Sequence, residues 1–328
     1  MSGRALSWTR AAGPATAAKR WRQTAVAYLY LAPAIILLGL FHFFPAAMAF
    51  YISLWRWGIV QERFVGLENY QRLLVSEEFW RSLGVTLWYV VLAIPAEMVL
   101  GLIIAYLLFQ PIRGRLAYRT AYFLPYVTSS VAAALVWRWM YHPTNGLLNG
   151  ILEQLGVPIS RWLEEASGVF TLLFANFGVT LPGWLGGPSV ALVCVAAMSV
   201  WHYTGFHVVI FLAGLGNISR ELYEAARIDG ASESQVFWKI TLPLLSPTSF
   251  FLLTVSTIGA LQAFNQIYVM TGGGPLDTTR TVLMLVFRTF YQQTRVGYGS
   301  AIAFVLTGII LVLTVLNFRF VGRRVHYD

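Results

Sequence analysis

Six apolar runs, each long enough to cross a lipid bilayer, constrain the fold more than any other feature of the sequence. A helix needs about 20 consecutive apolar residues to span the hydrocarbon core. Only 11% of the 328 residues are charged, whereas a typical soluble domain carries about 25%. The sequence therefore predicts an all-α integral membrane protein with six transmembrane helices. The predicted spans are 26–54, 83–109, 116–141, 188–216, 244–270 and 297–320.

Basic residues are distributed unevenly between the two sides of this predicted bundle. Six spans place both termini on one side, and that side carries 14 of the 23 lysine and arginine residues. Basic loops are retained preferentially in the cytoplasm. We therefore expect a cytoplasmic leader at 1–25, a membrane domain at 26–321 with a cytoplasmic loop at 217–243, and a cytoplasmic tail at 322–328. The net charge of +9 then sets orientation in the lipid bilayer and does not indicate a nucleic-acid partner.

The predicted loop 217–243 is polar, and it contains the end signals of two short helices. Ser219 can accept a hydrogen bond from the first turn of one helix, and Gly230 follows where a left-handed residue commonly ends a helix. The tetrapeptide SESQ at 232–235 is a capping box that begins a second helix. We expect Pro243 to interrupt this second helix just before the fifth span.

Small side chains on the first of these helices allow another surface to approach its backbone closely. Ala225 and Ala226 are adjacent there, and Glu224 and Arg227 place charges at the rim. This arrangement suits docking into a cleft of a soluble partner. The alternative is an amphipathic helix lying on lipid, but its polar face carries as many acids as bases, which anionic lipid does not favour.

The loop also carries a motif with fixed spacing. It reads EAA at 224–226, then three residues and glycine, then nine residues, isoleucine, one residue and leucine-proline. Every position matches the EAA motif, so the sequence resembles the permeases of binding-protein-dependent ABC importers. The resemblance implies the type I ABC importer permease fold and a coupling helix that seats in a groove of a separate ATP-binding subunit. It assigns this coupling role to Glu224, Ala225, Ala226, Arg227, Asp229, Gly230, Ile240, Leu242 and Pro243.

Three further stretches narrow the resemblance. Residues 141–157, 264–279 and 296–320 are similar to segments of the carbohydrate uptake type-1 family, in particular its first permease subunit of the maltose or glycerol-3-phosphate type. The resemblance implies a multi-pass protein of the bacterial cytoplasmic membrane, with a second related permease, two ATP-binding subunits and an external solute-binding protein. Residues 158–182 depart from the family pattern, and we expect them to form an external elaboration near the binding protein.

The sequence lacks the motifs of an ATP-hydrolysing chain. Its only lysines, Lys19 and Lys239, do not follow the glycines of a phosphate-binding loop. We therefore expect no enzymatic activity and no cofactor in this chain, with ATP and magnesium bound by the partner ATPase. No metal-ligand motif is present either. The run GGGP at 272–275 is interpreted as a tight external turn.

Glu97 is the one clear ionisable residue inside a predicted span. A charge at a helix centre costs about 2.5–3.5 kcal/mol on insertion scales. Ion-coupled secondary transporters use such residues, so a secondary transporter is an alternative function. A single carboxylate is a weak basis for a proton relay, and we interpret Glu97 as a protonated or hydrogen-bonded structural residue that faces the bundle.

Polar and aromatic side chains in the spans indicate where a sugar could pass. Spacing of i, i+3 and i+4 places three of them on one face of the fifth span. The alternative for each residue is a hydrogen bond that holds helices together. No arginine lies clearly in mid-span, so a sugar is preferred as cargo over glycerol-3-phosphate or a glycerophosphodiester. The pathway candidates are the stripe Gln262, Asn265 and Gln266, together with Tyr126, Ser129, Trp201 and Tyr203.

Overall fold

The computed structural model of the chain describes residues 14–175, 177–182 and 185–322, and this part is mainly helical. The first 13 residues of the predicted leader and residues 323–328 of the predicted tail lie outside it. The first helices and the two strands, which pair antiparallel, are α1 (Pro14–Leu38), α2 (Phe44–Ser53), β1 (Trp55–Trp57), β2 (Gln61–Phe64), α3 (Glu68–Leu74), α4 (Glu77–Phe109), α5 (Arg115–Val127), α6 (Ser130–Met140), α7 (Leu147–Gln154) and α8 (Val169–Ala175). The later helices are α9 (Val190–Gly216), α10 (Arg220–Ile228), α11 (Glu233–Val236), α12 (Leu242–Leu244), α13 (Ser246–Leu261), α14 (Asn265–Met270), α15 (Val282–Phe287) and α16 (Val296–Phe320).

Four helical stretches in the described residues are long and apolar enough to cross a bilayer. They are the continuous helix Trp21–Ser53, α4, α9 and α16. Two further stretches are pairs of helices that meet at a sharp bend, namely α5 with α6 and Glu233–Leu244 with α13. Counting each bent pair as one span gives up to six spans, in agreement with the predicted all-α membrane fold.

The first span is one helix that passes through two prolines. A π-helical segment, Gly39–Phe43, joins α1 to α2, and the Phe44 amide donates to the carbonyl five residues back. This wider turn precedes Pro45, whose ring and missing N–H would otherwise disrupt a regular helical turn. α1 begins well before residue 25, so the predicted boundary between leader and membrane domain falls inside a helix.

The third predicted span, 116–141, is present as a pair of helices and not as a single helix. α5 and α6 meet at an angle of 94°. Between them, Thr128 and Ser129 have extended backbone, and the Thr128 hydroxyl donates to the Pro125 carbonyl at 2.6 Å. These two residues end one helix and begin the next, because extended backbone at two successive positions turns the chain by about a right angle.

The fifth predicted span, 244–270, also departs from a single helix. α13 is bent by 60° from the preceding segment Glu233–Leu244. At its other end it stops at Leu261, and residues 262–264 are not helical. Phe264 has φ of −138° and ψ of −59°, a combination outside the range of a regular helix. The predicted span 244–270 therefore consists of α13 and α14 with a break between them.

The interior of the bundle is built around α9, which packs against both α4 and α5. Glycines permit the closest approaches between these helices. A Cβ placed on Gly101 of α4 would lie 2.5 Å from the Cβ of His207 on α9. A Cβ on Gly205 would overlap the Tyr122 carbonyl of α5. Backbone proximity at these small residues therefore fixes α9 between its neighbours, as is typical of helices packed in membranes.

The predicted external elaboration, 158–182, is only partly separate from the bundle. Its first half is anchored by Asn149, a buried residue of α7 whose side-chain amide donates to the Ser160 carbonyl at 2.8 Å. The Asn149 side-chain oxygen accepts from the Trp162 indole at 2.7 Å, and the Trp162 ring packs on Tyr141 at the end of α6. The second half forms α8 and leads back to the start of α9. Hydrogen bonds and ring packing therefore attach the first half to the core.

An arginine that the sequence did not single out is buried between α14 and α15. Arg280 is 6% exposed, and its guanidinium lies 2.9 Å from Glu78 at the start of α4 and 3.1 Å from Asp277. Asp277 also pairs with Arg288. The run at 272–275 forms a turn with positive φ at two of its glycines, as predicted, and this charged network ties the segment after it to α4.

Candidate functional site

The loop predicted at 217–243 contains two helices, as its capping signals indicate. The Ser219 hydroxyl accepts a hydrogen bond from the Glu221 amide at the start of α10. At the start of α11, the Ser232 hydroxyl accepts from the Gln235 amide, and the Gln235 side chain accepts from the Ser232 amide. This reciprocal pair is a complete capping box. The beginnings of both helices are therefore confirmed.

Gly230 forms the turn between the two helices. Its φ is +76°, its amide donates to the Arg227 carbonyl, and the Ala231 amide donates to the Ala226 carbonyl. These two bonds complete a Schellman motif, in which the left-handed residue is usually glycine. Across the turn, the Arg227 guanidinium lies 3.2 Å from the Glu233 carboxylate. Backbone hydrogen bonds therefore set the angle between the helices, and one exposed ion pair supports it.

Pro243 does not interrupt the second helix, so that prediction is wrong. The helix continues from α11 through a π-helical segment, Phe237–Thr241, into α12, and it bends only at Leu245. The Leu242 amide donates to the carbonyl five residues back, and the wider turn accommodates the proline that follows. The first span passes its second proline by the same arrangement.

The loop is attached to the bundle on one side and exposed on the other. The Tyr223 hydroxyl lies 3.3 Å from the Thr241 hydroxyl, which ties α10 to the π-helical segment. The Phe237 ring packs edge-on against Tyr106 of α4, with ring centroids 5.0 Å apart. Of the residues predicted to couple, the exposed ones are Glu224, Ala225, Arg227, Asp229 and Gly230, and the half-buried ones are Ala226, Ile240, Leu242 and Pro243.

The two most exposed large apolar side chains of the loop lie at positions that the EAA motif does not include. Ile228 is 86% exposed and Trp238 is 64% exposed. Aromatic side chains are enriched where one protein binds another, so the exposed Trp238 suits such a surface. The signal in the sequence was the bulky apolar residue at each of these two positions. The sequence-based prediction missed them because it followed the motif alone.

A cavity of about 350 Å³ lies between α4, α9 and the break that separates α13 from α14. Two of the seven predicted pathway residues do not line it. Ser129 is exposed between α5 and α6, and Trp201 packs on the Trp137 ring with centroids 5.6 Å apart. The role of these two residues in the pathway stays a prediction. The five that line it are Gln262, Asn265, Gln266, Tyr126 and Tyr203.

The break between α13 and α14 replaces the predicted continuous polar face. Gln262 follows the end of α13, whereas Asn265 and Gln266 begin α14, so the prediction that they share one face of one helix is wrong. All three still line the cavity, because the break itself lies at its wall. The buried Gln266 amide donates to the Tyr89 hydroxyl, which bonds Ser199, each at 2.8 Å. Gln266 therefore also holds three helices together.

Glu97 of α4 faces the bundle interior, as predicted, and it lines the cavity. It is 5% exposed, and its Oε2 lies 3.8 Å from Nε2 of His207. Nδ1 of His207 lies 3.0 Å from the Tyr203 carbonyl, and Nε2 lies 2.9 Å from the Ser256 hydroxyl. Because a carbonyl only accepts, Nδ1 carries a proton. Glu97 and His207 are thus two titratable groups held together at the cavity wall.

Comparisons with known proteins agree with this architecture. Residues 74–326 match the family described as binding-protein-dependent transport system inner membrane component. The sn-glycerol-3-phosphate transport system permease protein UgpA of Agrobacterium fabrum is 36% identical over 92% of this chain and 96% of its own length. The trehalose/maltose transport system permease protein MalF of Thermococcus litoralis is 35% identical over 94% and 97%.

A solved structure shares the fold. It is a chain of a bacterial ABC transporter involved in the import of the acidic polysaccharide alginate, with a TM-score of 0.77 at 21% identity. The match covers 93% of this chain and 98% of that one. A second structure is of a bacterial alginate ABC transporter in complex with a periplasmic protein that binds an alginate pentasaccharide, and it matches with a TM-score of 0.73.

Proposed function

We propose that this chain, which belongs to the binding-protein-dependent transport system inner membrane component family, forms half of the translocation pathway of a sugar-importing ABC transporter. The observation that carries the proposal is the loop between α9 and α13. Its two capped helices are joined at Gly230, and Glu224 and Ala225 of the motif are exposed. An exposed, locally rigid loop of this kind suits a soluble ATP-binding subunit as its partner.

The complete importer in this proposal contains a second related permease, two ATP-binding subunits that hold ATP and magnesium, and an external solute-binding protein. The uneven distribution of basic residues supports a bacterial cytoplasmic membrane location with both termini in the cytoplasm. The loop transmits closure of the ATP-binding subunits to the spans. The loop couples closure of the ATP-binding subunits to the switch of the pathway from inward-facing to outward-facing. It does so because its contacts with the ATPase differ between these two states of the pathway.

The lining of the cavity supports a sugar as cargo. The Tyr126 and Phe206 rings stack with centroids 5.1 Å apart, and Gln262 and Asn265 line the same cavity. Cavities that combine aromatic faces with a few polar groups suit small polar ligands. The relative named for trehalose and maltose also favours a sugar. The relative named for sn-glycerol-3-phosphate keeps that compound, or a glycerophosphodiester, as the alternative cargo.

Uptake by reconstituted vesicles tests the function. We expect vesicles with the complete importer to accumulate labelled trehalose or maltose only when ATP is present on the side of the membrane where the ATP-binding subunits lie. Vesicles with this chain alone should show no uptake driven by a proton or sodium gradient. Gradient-driven uptake by the chain alone would instead establish the secondary transporter, and accumulation of sn-glycerol-3-phosphate without sugar would establish the alternative cargo.

A pair of matched variants tests the role of the loop. Glu221 and Glu224 are both exposed acids of α10, but only Glu224 belongs to the EAA motif. We expect Glu224→Ala to lower ATP-dependent uptake and co-purification of the ATP-binding subunit, with insertion in the membrane unchanged. Glu221→Ala should leave both close to wild type. Equal effects of the two substitutions would show that only the net charge of α10 matters, and not the motif.

A further inference from the structure

Residues 110–119, which we call the arginine turn, connect α4 to the first turn of α5 and carry three basic side chains. They are Arg113, Arg115 and Arg119. The arginine turn lies at the same end of α4 as the loop at 217–243. Tyr106, which lies one helical turn before the end of α4, packs on Phe237 of that loop. The arginine turn is therefore at the end of the bundle that the distribution of basic residues assigns to the cytoplasm.

The positive charge of the arginine turn has no acidic partner in the described part of the chain. No carboxylate there lies within 4 Å of its three guanidinium groups, whereas Arg227 of the loop pairs with Glu233 at 3.2 Å. Arg113 and Arg115 are also exposed. Because an arginine side chain is not deprotonated in proteins, the turn carries three positive charges that no described side chain balances.

The backbone of α4 holds one of the three arginines in place. The Arg119 guanidinium donates to the carbonyl of Leu108, close to the end of α4, at 3.3 Å. Gly114 has φ of +76° and directly precedes the first residue of α5, which is Arg115. Residues four apart lie on the same face of a helix. Arg115 therefore shares a face of α5 with the arginine that is fixed against α4.

Large apolar side chains are exposed beside these charges. Leu116 is 76% exposed and Tyr118 is 53% exposed, and Ile112 is exposed as well. A membrane surface accommodates both kinds of side chain. Tyrosine is enriched at the level of the headgroups, and arginine covers apolar surface with its methylene groups while its charged end stays in a polar layer. Basic residues next to exposed aliphatic and aromatic ones are typical of segments that bind anionic lipid.

We propose that the arginine turn binds the phosphate of an anionic phospholipid, such as phosphatidylglycerol, in the cytoplasmic leaflet. Guanidinium groups form paired, charge-assisted hydrogen bonds with phosphate oxygens. Arg113 and Arg115 bind the phosphodiester, Arg119 adds positive charge from its fixed position, and Leu116 contacts the acyl chains. A lipid is the source of the phosphate, because a soluble phosphate would leave Leu116 and Tyr118 in contact with water. This site is independent of the cargo that the spans carry.

Two lipids with identical acyl chains test the site. Palmitoyl-oleoyl phosphatidylglycerol has a net negative charge, whereas palmitoyl-oleoyl phosphatidylcholine has no net charge. Native mass spectrometry of the full-length chain in detergent counts the bound molecules of each lipid and gives their affinities. A basic residue near an anionic surface strengthens binding by roughly fivefold. We therefore expect phosphatidylglycerol to bind its first site at least about tenfold more tightly than phosphatidylcholine.

Substitutions assign this preference to the arginine turn. Arg113→Gln and Arg115→Gln should each weaken phosphatidylglycerol binding by roughly fivefold, and the double variant should retain a preference of about threefold or less. Arg115→Lys keeps the charge and should retain most of the preference. Arg81→Gln is the matched control, because Arg81 is an exposed arginine at the opposite end of α4, where Glu77 and Glu78 precede it. This control should leave the preference unchanged.

Two further measurements separate a lipid from a soluble phosphate. Glycerophosphoglycerol, which is the headgroup phosphodiester without acyl chains, should not displace the bound lipid, and Leu116→Ser should weaken the binding of both lipids. Displacement by this probe, together with unchanged lipid binding in Leu116→Ser, would show a site for a soluble phosphate ester and overturn the proposal.

Three other results would also overturn it. Equal affinities of the wild-type chain for the two lipids would show that the arginine turn does not select an anionic headgroup. An equal loss of preference in Arg81→Gln would show that the net charge of the chain selects the lipid, and not this turn. Loss of the co-purified ATP-binding subunit in the double variant, with the lipid preference intact, would assign the arginines to contact with the ATPase.

Discussion

Replacing Gly230 tests whether the angle between the two loop helices is needed for transport. Its φ of +76° lies in the left-handed region, and a Cβ added there would meet no atom within 4 Å. A substitution therefore acts through backbone strain and not through a steric clash. Alanine, asparagine and valine separate these two effects, because asparagine is larger than alanine yet adopts the left-handed conformation more readily.

The expected strain follows from the conformation. A residue with a Cβ pays roughly 1–2 kcal/mol in the left-handed region, so we assign about 1 kcal/mol or less to asparagine, 1–2 kcal/mol to alanine and more to β-branched valine. The chain can relieve the strain by abandoning the Schellman motif. That change breaks the bonds to the Arg227 and Ala226 carbonyls, at about 0.5–1.5 kcal/mol each. α10 would then lose its fixed orientation relative to α11.

The assay is ATP-dependent uptake by vesicles that contain equal amounts of each complete importer. We expect activity to fall in the order glycine, asparagine, alanine, valine, with the valine variant reduced by about tenfold or more, since about 1.4 kcal/mol corresponds to a factor of ten. Gly156→Val is the matched control, because Gly156 has φ of +70° and equally open surroundings but lies outside the loop. Its uptake should remain close to wild type.

Three results would refute this reasoning. Normal uptake by Gly230→Val at normal expression would show that the angle between the helices is not needed. An equal loss in Gly156→Val would show that the strain acts by general destabilisation. An order in which asparagine is worse than alanine would show that side-chain volume matters more than backbone conformation.

Two further substitutions test the packing. Asn149→Ala removes the partner of the part-buried Trp162 indole and Ser160 carbonyl, and we expect trypsin to cleave after Arg161 faster than in wild type. Unchanged cleavage would contradict the anchoring role. Gly101→Ala would place a Cβ 2.5 Å from that of His207 and should lower the midpoint of thermal unfolding, because overpacking costs about 1–3 kcal/mol. Gly84→Ala, whose added Cβ meets no atom within 4 Å, should not lower the midpoint, so an equal drop in both variants would argue against specific helix contact.

The loop was predictable from its sequence because its structure depends on local signals. Ser219, Gly230 and the capping box at 232–235 each act within one turn of the residues that they affect. The six apolar segments were predictable for a similar reason, because bilayer thickness alone sets the length that a spanning segment needs. Both kinds of signal can be read without knowing which helices are neighbours in space.

The helix breaks and the paired groups in the cavity were not predictable in the same way. An apolar composition is compatible with a straight or a bent span, so it could not reveal the turn at Thr128 or the break before Asn265. The pairing of Glu97 with His207 depends on α4 and α9 meeting at Gly101, residues far apart in the sequence. The composition did indicate the polar residues, but the contact between helices decides which of them share a wall.

The position of α13 connects the loop and the cavity through a single element. It begins at the bend after Leu245 and ends at the break before α14, so a rod of 16 residues, about 24 Å long at the rise of an α-helix, joins the two sites. Along it, Ser256 contacts His207 of α9, and Thr254 accepts from Asn317 of α16 at 2.8 Å. A shift of the loop that tilts α13 about the bend would displace Ser256 relative to His207 and change the hydrogen bonds at the cavity wall. Coupling in the proposed importer then follows from movement of the one helix that lies between the bend at Leu245 and the break before Asn265.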